Sequence, residues 1–370
     1  MAQTTLAETV VAVHSTLSNP EKMNCNRYGI DVAAQVLGEL GVGLVFIPKG
    51  GYDIARMVNV HEAHAAKDGV LSLANEPRTL AVGHEVRAVR AYTSVGIPNW
   101  LDEAVPVING PVLRNVGKDK FGQVRLFEAD MAKTIFVASG TAVDGDTLST
   151  IEGNKVVVKP NNGASSEHVA VTDKTVVGVE ATLANLRKSL EENGYTDKGF
   201  VVQEYDPAAP IEAETLFKEA NELVREAGSN GRPELRVYCF ADTVNNELTI
   251  RPYPMYRLFA GTDKNMLFPM DELSLPSGVL SKAVEATANI LAQTGSMGGL
   301  VVVDMYASSV EGGFRFREIN LGNPVTGPTI AMKWLPDSLG ARVAEHASRG
   351  HGVRLGEQLA TLALGRKASM

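Results

Sequence analysis

Asp304, Glu318 and Asn320 are the residues of this chain whose types and spacing most directly suggest chemistry. Glu318 and Asn320 stand two apart in FRFREIN (314–320), and side chains at i and i+2 project from one face of a strand. Asp304 ends the apolar run VVVD (301–304). The intervening ASSVEGG reads as a turn, so the two runs can pair antiparallel and Asp304 can meet the other two from the partner strand. Three hard oxygen donors, two of them anionic, suit Mg2+, whose shell is usually completed by phosphate oxygens and water. The plainer alternative is an acid at a turn and an asparagine cap.

A second group could hold phosphate. VVVKP (156–160) places Lys159 where a strand opens into NNGASSEHV, a loop with Gly163, Ser165 and Ser166. Backbone N–H groups on such a loop can wrap phosphate oxygens. Neither GxxxxGK[ST] nor a GxGxxG after a strand occurs, so the standard nucleotide motifs are excluded. FVVQEYD (200–206) is a buried strand carrying Gln203, Glu204 and Tyr205. Arg236, Arg251 and Arg257 lie on or just after later strands, where a planar guanidinium fits phosphate or carboxylate. Each arginine alone reads more readily as a surface ion pair. His61 and His64, three apart on an expected helix, lack a third metal ligand in the sequence.

These residues need elements to position them. Residues 27–110 alternate: a helix over Asp31–Leu40, a buried strand over Val42–Ile47, a helix over Val60–Lys67, short strands at Val70–Leu73 and Thr79–Val82, and a helix over His84–Tyr92. That pattern predicts a small α/β layer with a partly parallel sheet. Residues 118–133 read as one helix, then a strand–loop–strand hairpin spans 156–172, a helix 179–193 and a strand 200–204. The charged stretch 212–228 predicts an amphipathic helix and reads as an insertion. Strands follow at 235–240 and 247–251, a helix at 277–291, strands at 300–305 and 313–320, and helix from Leu335 onward.

The bulk properties bound the class. With 370 residues, 44% apolar and 21% charged, the chain should fold as two or three soluble globular domains. A net charge of −8 with no dense Lys/Arg run argues against nucleic acid. The longest apolar runs are strand-sized, which argues against a membrane span, and the N-terminus lacks a signal-peptide pattern, so a cytoplasmic location is expected. Cys25 and Cys239 have no metal-type neighbours and read as free thiols.

Taken in order, these pieces resemble the ATP-grasp carboxylate–amine ligases, and within them the bacterial glutathione synthetase-like ligases. The segments that carry the resemblance are NGPVLRNVGKDKF (109–121), VVVKPNNGASSEHV, FVVQEYD and GLVVVDMYASSVEGGFRFREINLGNPVTGP, over residues 107–333. The segment 208–232 and the turn between Asp304 and Glu318 are longer than in that family, and residues 1–106 show little to match.

The resemblance implies an α/β and α+β architecture. Residues 1–108 would form an N-terminal α/β (pre-ATP-grasp-like) substrate domain. Residues 109–203 and 204–370 would form two α+β subdomains enclosing ATP, the first with the lid hairpin and the second with the metal site. It implies that Lys120 and Lys159 contact ATP, that Gln203, Glu204 and Tyr205 meet the adenine, and that Gly163, Ser165 and Ser166 close over the phosphates. Arg236 and Arg257, with Arg251 as a third, would neutralise the migrating phosphoryl. Asp304, Glu318 and Asn320 would hold two Mg2+ ions, replaceable by Mn2+. Asn323, Thr326 and Gly327 would lie beside the substrate. The implied reaction joins an amino-acid or peptide carboxylate to an amino-acid amine through an acyl-phosphate, in a homo-oligomer (dimer or tetramer). The alternatives are a kinase-type phosphotransferase of this fold and a non-catalytic nucleotide-binding protein.

Overall fold

The computed structural model describes residues 9–14, 29–47, 59–65, 71–79, 85–91, 106–162, 168–211, 214–228, 231–260, 264–310, 312–321 and 335–365. The chain forms two compact units, each assembled from separated stretches. One comprises Met1–Arg114, Glu212–Val302 and Asn320–Met370; the other comprises Asn115–Ile211 and Val303–Ile319.

The first unit opens with β1 (Thr9–His14), α1 (Ile30–Glu39), β2 (Gly43–Ile47), β3 (Asn59–Ala65), β4 (Leu71–Thr79), β5 (Glu85–Ala91) and β6 (Val107–Ile108). The sheet β2-β1-β5-β6 is parallel throughout. Two expected helices are strands. Residues 59–65 pair antiparallel with β4, and 85–91 pair with β1, Val11 opposite Ala88. Both stretches contain helix-compatible spacing, but the ladder offered by a distant strand outweighs local preference. With His61 and His64 on a strand, the helical i, i+3 argument for a metal pair loses its basis. β1 itself was not among the expected strands.

Next come α2 (Pro111–Lys118), α3 (Lys120–Leu126), β7 (Thr134–Val137), α4 (Gly145–Ser149), β8 (Lys155–Pro160), β9 (Ala170–Asp173), α5 (Val176–Glu192) and β10 (Phe200–Glu204). The helix expected over 118–133 is realised only as α3: it begins after Asp119, residues 127–133 are not helical, and α2 ends where the expected span begins. Asp119 breaks the run because its carboxylate caps α3, accepting from the Gly122 N–H at 3.0 Å. From α3 to β10 the chain builds the core of the second unit, a four-stranded antiparallel sheet in the order β7-β10-β8-β9. Val156, Val158, Phe200 and Val202 point from this sheet into a buried cluster with Val179, Leu183, Leu186 and Leu190 of α5. Each such side chain contributes about 1.5–3 kcal/mol when fully buried.

The chain then forms α6 (Lys218–Gly228), β11 (Gly231–Val244), β12 (Glu247–Ala260), β13 (Lys264–Pro269), α7 (Val279–Thr294), β14 (Gly298–Ala307), β15 (Phe314–Asn320) and α8 (Asp337–Leu364). The sheet order is β13-β12-β11-β14-β15. β11 and β12 are far longer than the sequence suggested. They close on Asn245 and Asn246, both with positive φ, the turn conformation whose twist matches a hairpin. In the first unit α8 packs on α1. A Cβ at Gly352 would lie 2.3 Å from the Gly29 carbonyl oxygen, so only glycine allows this approach.

Candidate active site

The second unit places two lysines in one cleft, and strand parity explains the first. Along β8, Val156 and Val158 face the core, so Lys155, Val157 and Lys159 face the other way. β10 pairs with β8 so that Val201 stands opposite Lys159 and Gln203 opposite Val157. Lys159 and Gln203 therefore share a face, and the Lys159 ammonium donates to the Gln203 Oε1 at 3.1 Å. The Gln203 amide nitrogen is held in turn by the Thr134 hydroxyl at 3.0 Å and the Ala132 carbonyl at 3.3 Å. These bonds orient the amide so that its oxygen meets the cation.

The second lysine comes from α3. Its N-terminus is tied to the residue after Pro160: the Asn161 carbonyl accepts from Lys120 N–H at 3.2 Å, and Asn161 Oδ1 accepts from Phe121 N–H at 2.8 Å. Lys120 lies 3.9 Å from the Glu318 carboxylate of β15. Burial holds the Lys120 ammonium below its ordinary value of 10.5, while Glu318 pulls it back up. Lys120, Gln123, Val124, Met131, Lys159, Val201, Gln203, Arg317 and Glu318 line a single cleft. Thus Lys120, Lys159, Gln203 and Glu318, four residues read from separate motifs, meet here.

Gln123 and Arg317 were not singled out from the sequence. Arg317 sits beside Glu318, and its guanidinium carbon lies 4.5 Å from the Tyr306 ring centroid. Arg315 is also unanticipated. It is buried, bonded to the Met131 carbonyl, and ion-paired with Glu204 at 3.8 Å and Asp206 at 3.6 Å. Asp206 accepts from the Tyr306 hydroxyl at 3.0 Å and from Ser308 at 2.7 Å. Burial drives the Tyr306 phenol well above its usual range, so it stays a donor. The signal that could have found this cluster is the pair of acids in EYD (204–206) at the end of a buried strand, since buried carboxylates need a partner.

Other expected residues fall as follows. Glu204 is buried in that cluster and its backbone N–H donates to the Lys133 carbonyl, whereas the Tyr205 side chain is exposed. Asp304 is 1% exposed on β14, and Asn320 ends β15 half-buried. By alternation Asp304 shares its face with Tyr306, while Glu318 and Asn320 share theirs on β15. Among the described residues no three or more His, Cys, Asp or Glu side chains gather into a metal cluster. The donor set of two carboxylates and an amide nevertheless fits Mg2+ in kind, because all three are hard oxygens.

Arg236, Arg251 and Arg257 belong to the first unit. They stand on one face of the β11–β12 hairpin by register, since Arg236 opposes Met255, Glu234 opposes Arg257 and Phe240 opposes Arg251. Arg236 is buried. Arg257 donates to Asn265 at 3.1 Å and pairs with Glu234 at 3.4 Å. Arg251 pairs with Asp242 and Glu357 and donates to Thr361, which fastens the strand to α8. Cys239 is a buried free thiol, raised to about 12 by burial, which suits packing rather than nucleophilic attack. Gly163, Ser165, Ser166, Asn323, Thr326, Gly327 and Cys25 lie outside the described residues.

No family model matches the chain, and no curated protein matches it by sequence. Solved structures do. A D-cycloserine synthetase aligns over 95% of this chain and 99% of its own, at 14% identity and TM-score 0.50. A D-alanine–D-alanine ligase from Bacillus anthracis, complexed with ATP, aligns over 96% and 97%, at 13% identity and TM-score 0.52. At such identities the likeness is one of fold, and it agrees with the mixed architecture described above: the chain has the ATP-grasp fold.

Proposed function

We propose that the protein is an ATP-dependent ligase that forms an amide bond between an amino-acid or peptide carboxylate and an amino-acid amine. The observation that carries the reading is the meeting of Lys120, Lys159, Gln203, Arg317 and Glu318 in one cleft. Two ammonium groups, an amide and a carboxylate in a partly dry cleft suit the phosphates of a nucleoside triphosphate. The names of the aligned structures, a synthetase and a ligase, the latter with ATP bound, support the same reading.

In this proposal Lys159, fixed by Gln203, and Lys120 hold the nucleotide phosphates, and the 203–205 segment meets the adenine. The substrate carboxylate attacks the γ-phosphorus, the bond to ADP breaks, and an acyl-phosphate forms. The amine nitrogen then attacks the acyl carbon, phosphate leaves, and the amine loses its proton. Positioning and charge neutralisation dominate such a transfer, so no nucleophilic side chain is needed. Arg236 and Arg257 are proposed to neutralise the migrating group; Arg251, held by Asp242 and Glu357, is the weaker candidate. Asp304, Glu318 and Asn320 would hold Mg2+, which shields phosphate charge when bound. Strand parity alone does not bring Asp304 to Glu318. Tyr306, on the Asp304 face, meets Arg317 of β15, and Arg317 alternates with Glu318. Sharing an ion requires a one-residue offset in the hairpin or an ion at the strand edge.

The test is release of ADP and phosphate with pools of amino acids and dipeptides, with products identified by mass spectrometry. A new amide that depends on both substrates is expected. A phosphorylated product without amide would instead indicate a phosphotransferase, and no ADP with any pair would sink the reading. Asp304→Asn and Glu318→Ala are tested separately, and equal loss of cation dependence in both would support a shared ion.

A further inference from the structure

We propose that Gln123 is a positioning residue that sets the cation-binding strand, an inference that rests on the reading of β15 given above. Gln123 is 1% exposed yet borders the cleft. Its Oε1 accepts from the Ile319 backbone N–H at 3.1 Å, and its Nε2 donates to the Gly117 carbonyl at 3.0 Å. Ile319 is the residue between Glu318 and Asn320, so this bond holds the backbone from which both proposed ligands project.

The rest of α3 strengthens the case. Lys120 and Gln123 are three apart, on one helix face, and they meet consecutive residues of β15: Lys120 meets Glu318, and Gln123 meets Ile319. The start of α3 is itself tied through Asn161 to the end of β8, two residues beyond Lys159. Two residues of chain beyond the lysine that would hold phosphate, hydrogen bonds therefore run from Asn161 through α3 to the strand that would hold the cation. Because Gln123 is fixed at both ends, its amide has one usable orientation, and a side chain lacking either end cannot hold the same strand position.

The experiment titrates Mn2+ into the full chain with a non-hydrolysable ATP analogue and follows free Mn2+ by EPR. Metal-free binding of the analogue and the thermal midpoint are measured alongside. Gln123→Met keeps the volume and removes both hydrogen bonds; it is expected to weaken Mn2+ binding about tenfold, the low end for loss of a residue that orients metal ligands. Analogue binding without metal is expected to change less than about twofold. Gln123→Asn keeps an amide but is too short for both partners; it should behave alike and serves where Gln123→Met does not fold. Phe127→Leu is the control. Phe127 packs edge-on against Phe316, joining the same two segments without these bonds, so it should lower the midpoint and leave the Mn2+ curve in place. Equal weakening in Phe127→Leu would reduce the effect to general loosening and overturn the proposal. If Glu318→Ala abolishes Mn2+ binding while both Gln123 variants match the parent, the positioning role falls and the cation reading stands. A parent chain that binds no Mn2+ with the analogue overturns both.

Discussion

A lysine placed in a partly dry cleft carries a cost that shows in its pH behaviour. Lys120 is depressed below its ordinary 10.5 in the folded chain, chiefly by burial. As pH rises from the folded value toward 10.5, the unfolded chain holds more protons than the folded one, so stability increases over that window. Below it both states are protonated and the burial cost is present in full. Lys120→Met should therefore melt higher than the parent at pH 7, with the gap closing as pH approaches 10.5. Thermal midpoints across that range check this, and a gap independent of pH would refute it. The same substitution should weaken ATP binding. Lys159→Met should do so as well, by about tenfold or more, taking a charge-assisted hydrogen bond as about 1.5–3 kcal/mol. Isothermal titration with ATP measures both. Lys159, Gln203 and Glu318, which line the cleft, were all singled out from their motifs. Gln123, Arg315 and Arg317 were not, because an amide or guanidinium inside a helix or strand looks like a surface residue until its partner is known.

At the scale of elements, each unit depends on buried side chains that tie its own segments together. In the first unit, buried Asn109 accepts from Leu300 N–H at 2.7 Å and donates to the Leu300 and Leu321 carbonyls at 3.1 and 2.8 Å. Asn109→Leu strips all three bonds. It should cost about 3 kcal/mol or more, at about 1 kcal/mol per bond, read by urea denaturation. In the second unit, Leu183→Ala removes a fully buried side chain under the β8–β10 pair. A loss of about 2–5 kcal/mol is expected. Strands with β-branched runs, such as 156–160 and 200–204, and the helices Ile30–Glu39, Val176–Glu192 and Val279–Thr294 were readable locally. Residues 59–65 and 85–91 were not, because their partners lie far along the chain and pairing outweighed helical spacing.

At the scale of the molecule, the second unit is discontinuous in sequence, with Val303–Ile319 completing Asn115–Ile211. Residues 303–319 bring Arg315, the ion-pair partner of buried Glu204 and Asp206. A fragment of residues 115–211 alone should not fold, since two buried carboxylates would lose that cation. Joining residues 303–319 through a flexible linker should restore dispersed amide signals in NMR, and a well-folded 115–211 fragment would contradict this. The sequence by itself determined the chemistry on offer: a lysine at a strand end and another near a helix start, a carboxylate two residues from an amide, and a net negative charge without a dense basic run. Those are properties of residue type and short-range periodicity, which need no partner to be read. Only the tertiary structure decided which of them meet. Strand register turned Lys159 toward Gln203, Asn161 aimed α3 so that Lys120 reached Glu318, and a late strand supplied the arginine for an earlier acid. Such pairings depend on contacts between residues far apart in the chain, and local pattern carries no record of them.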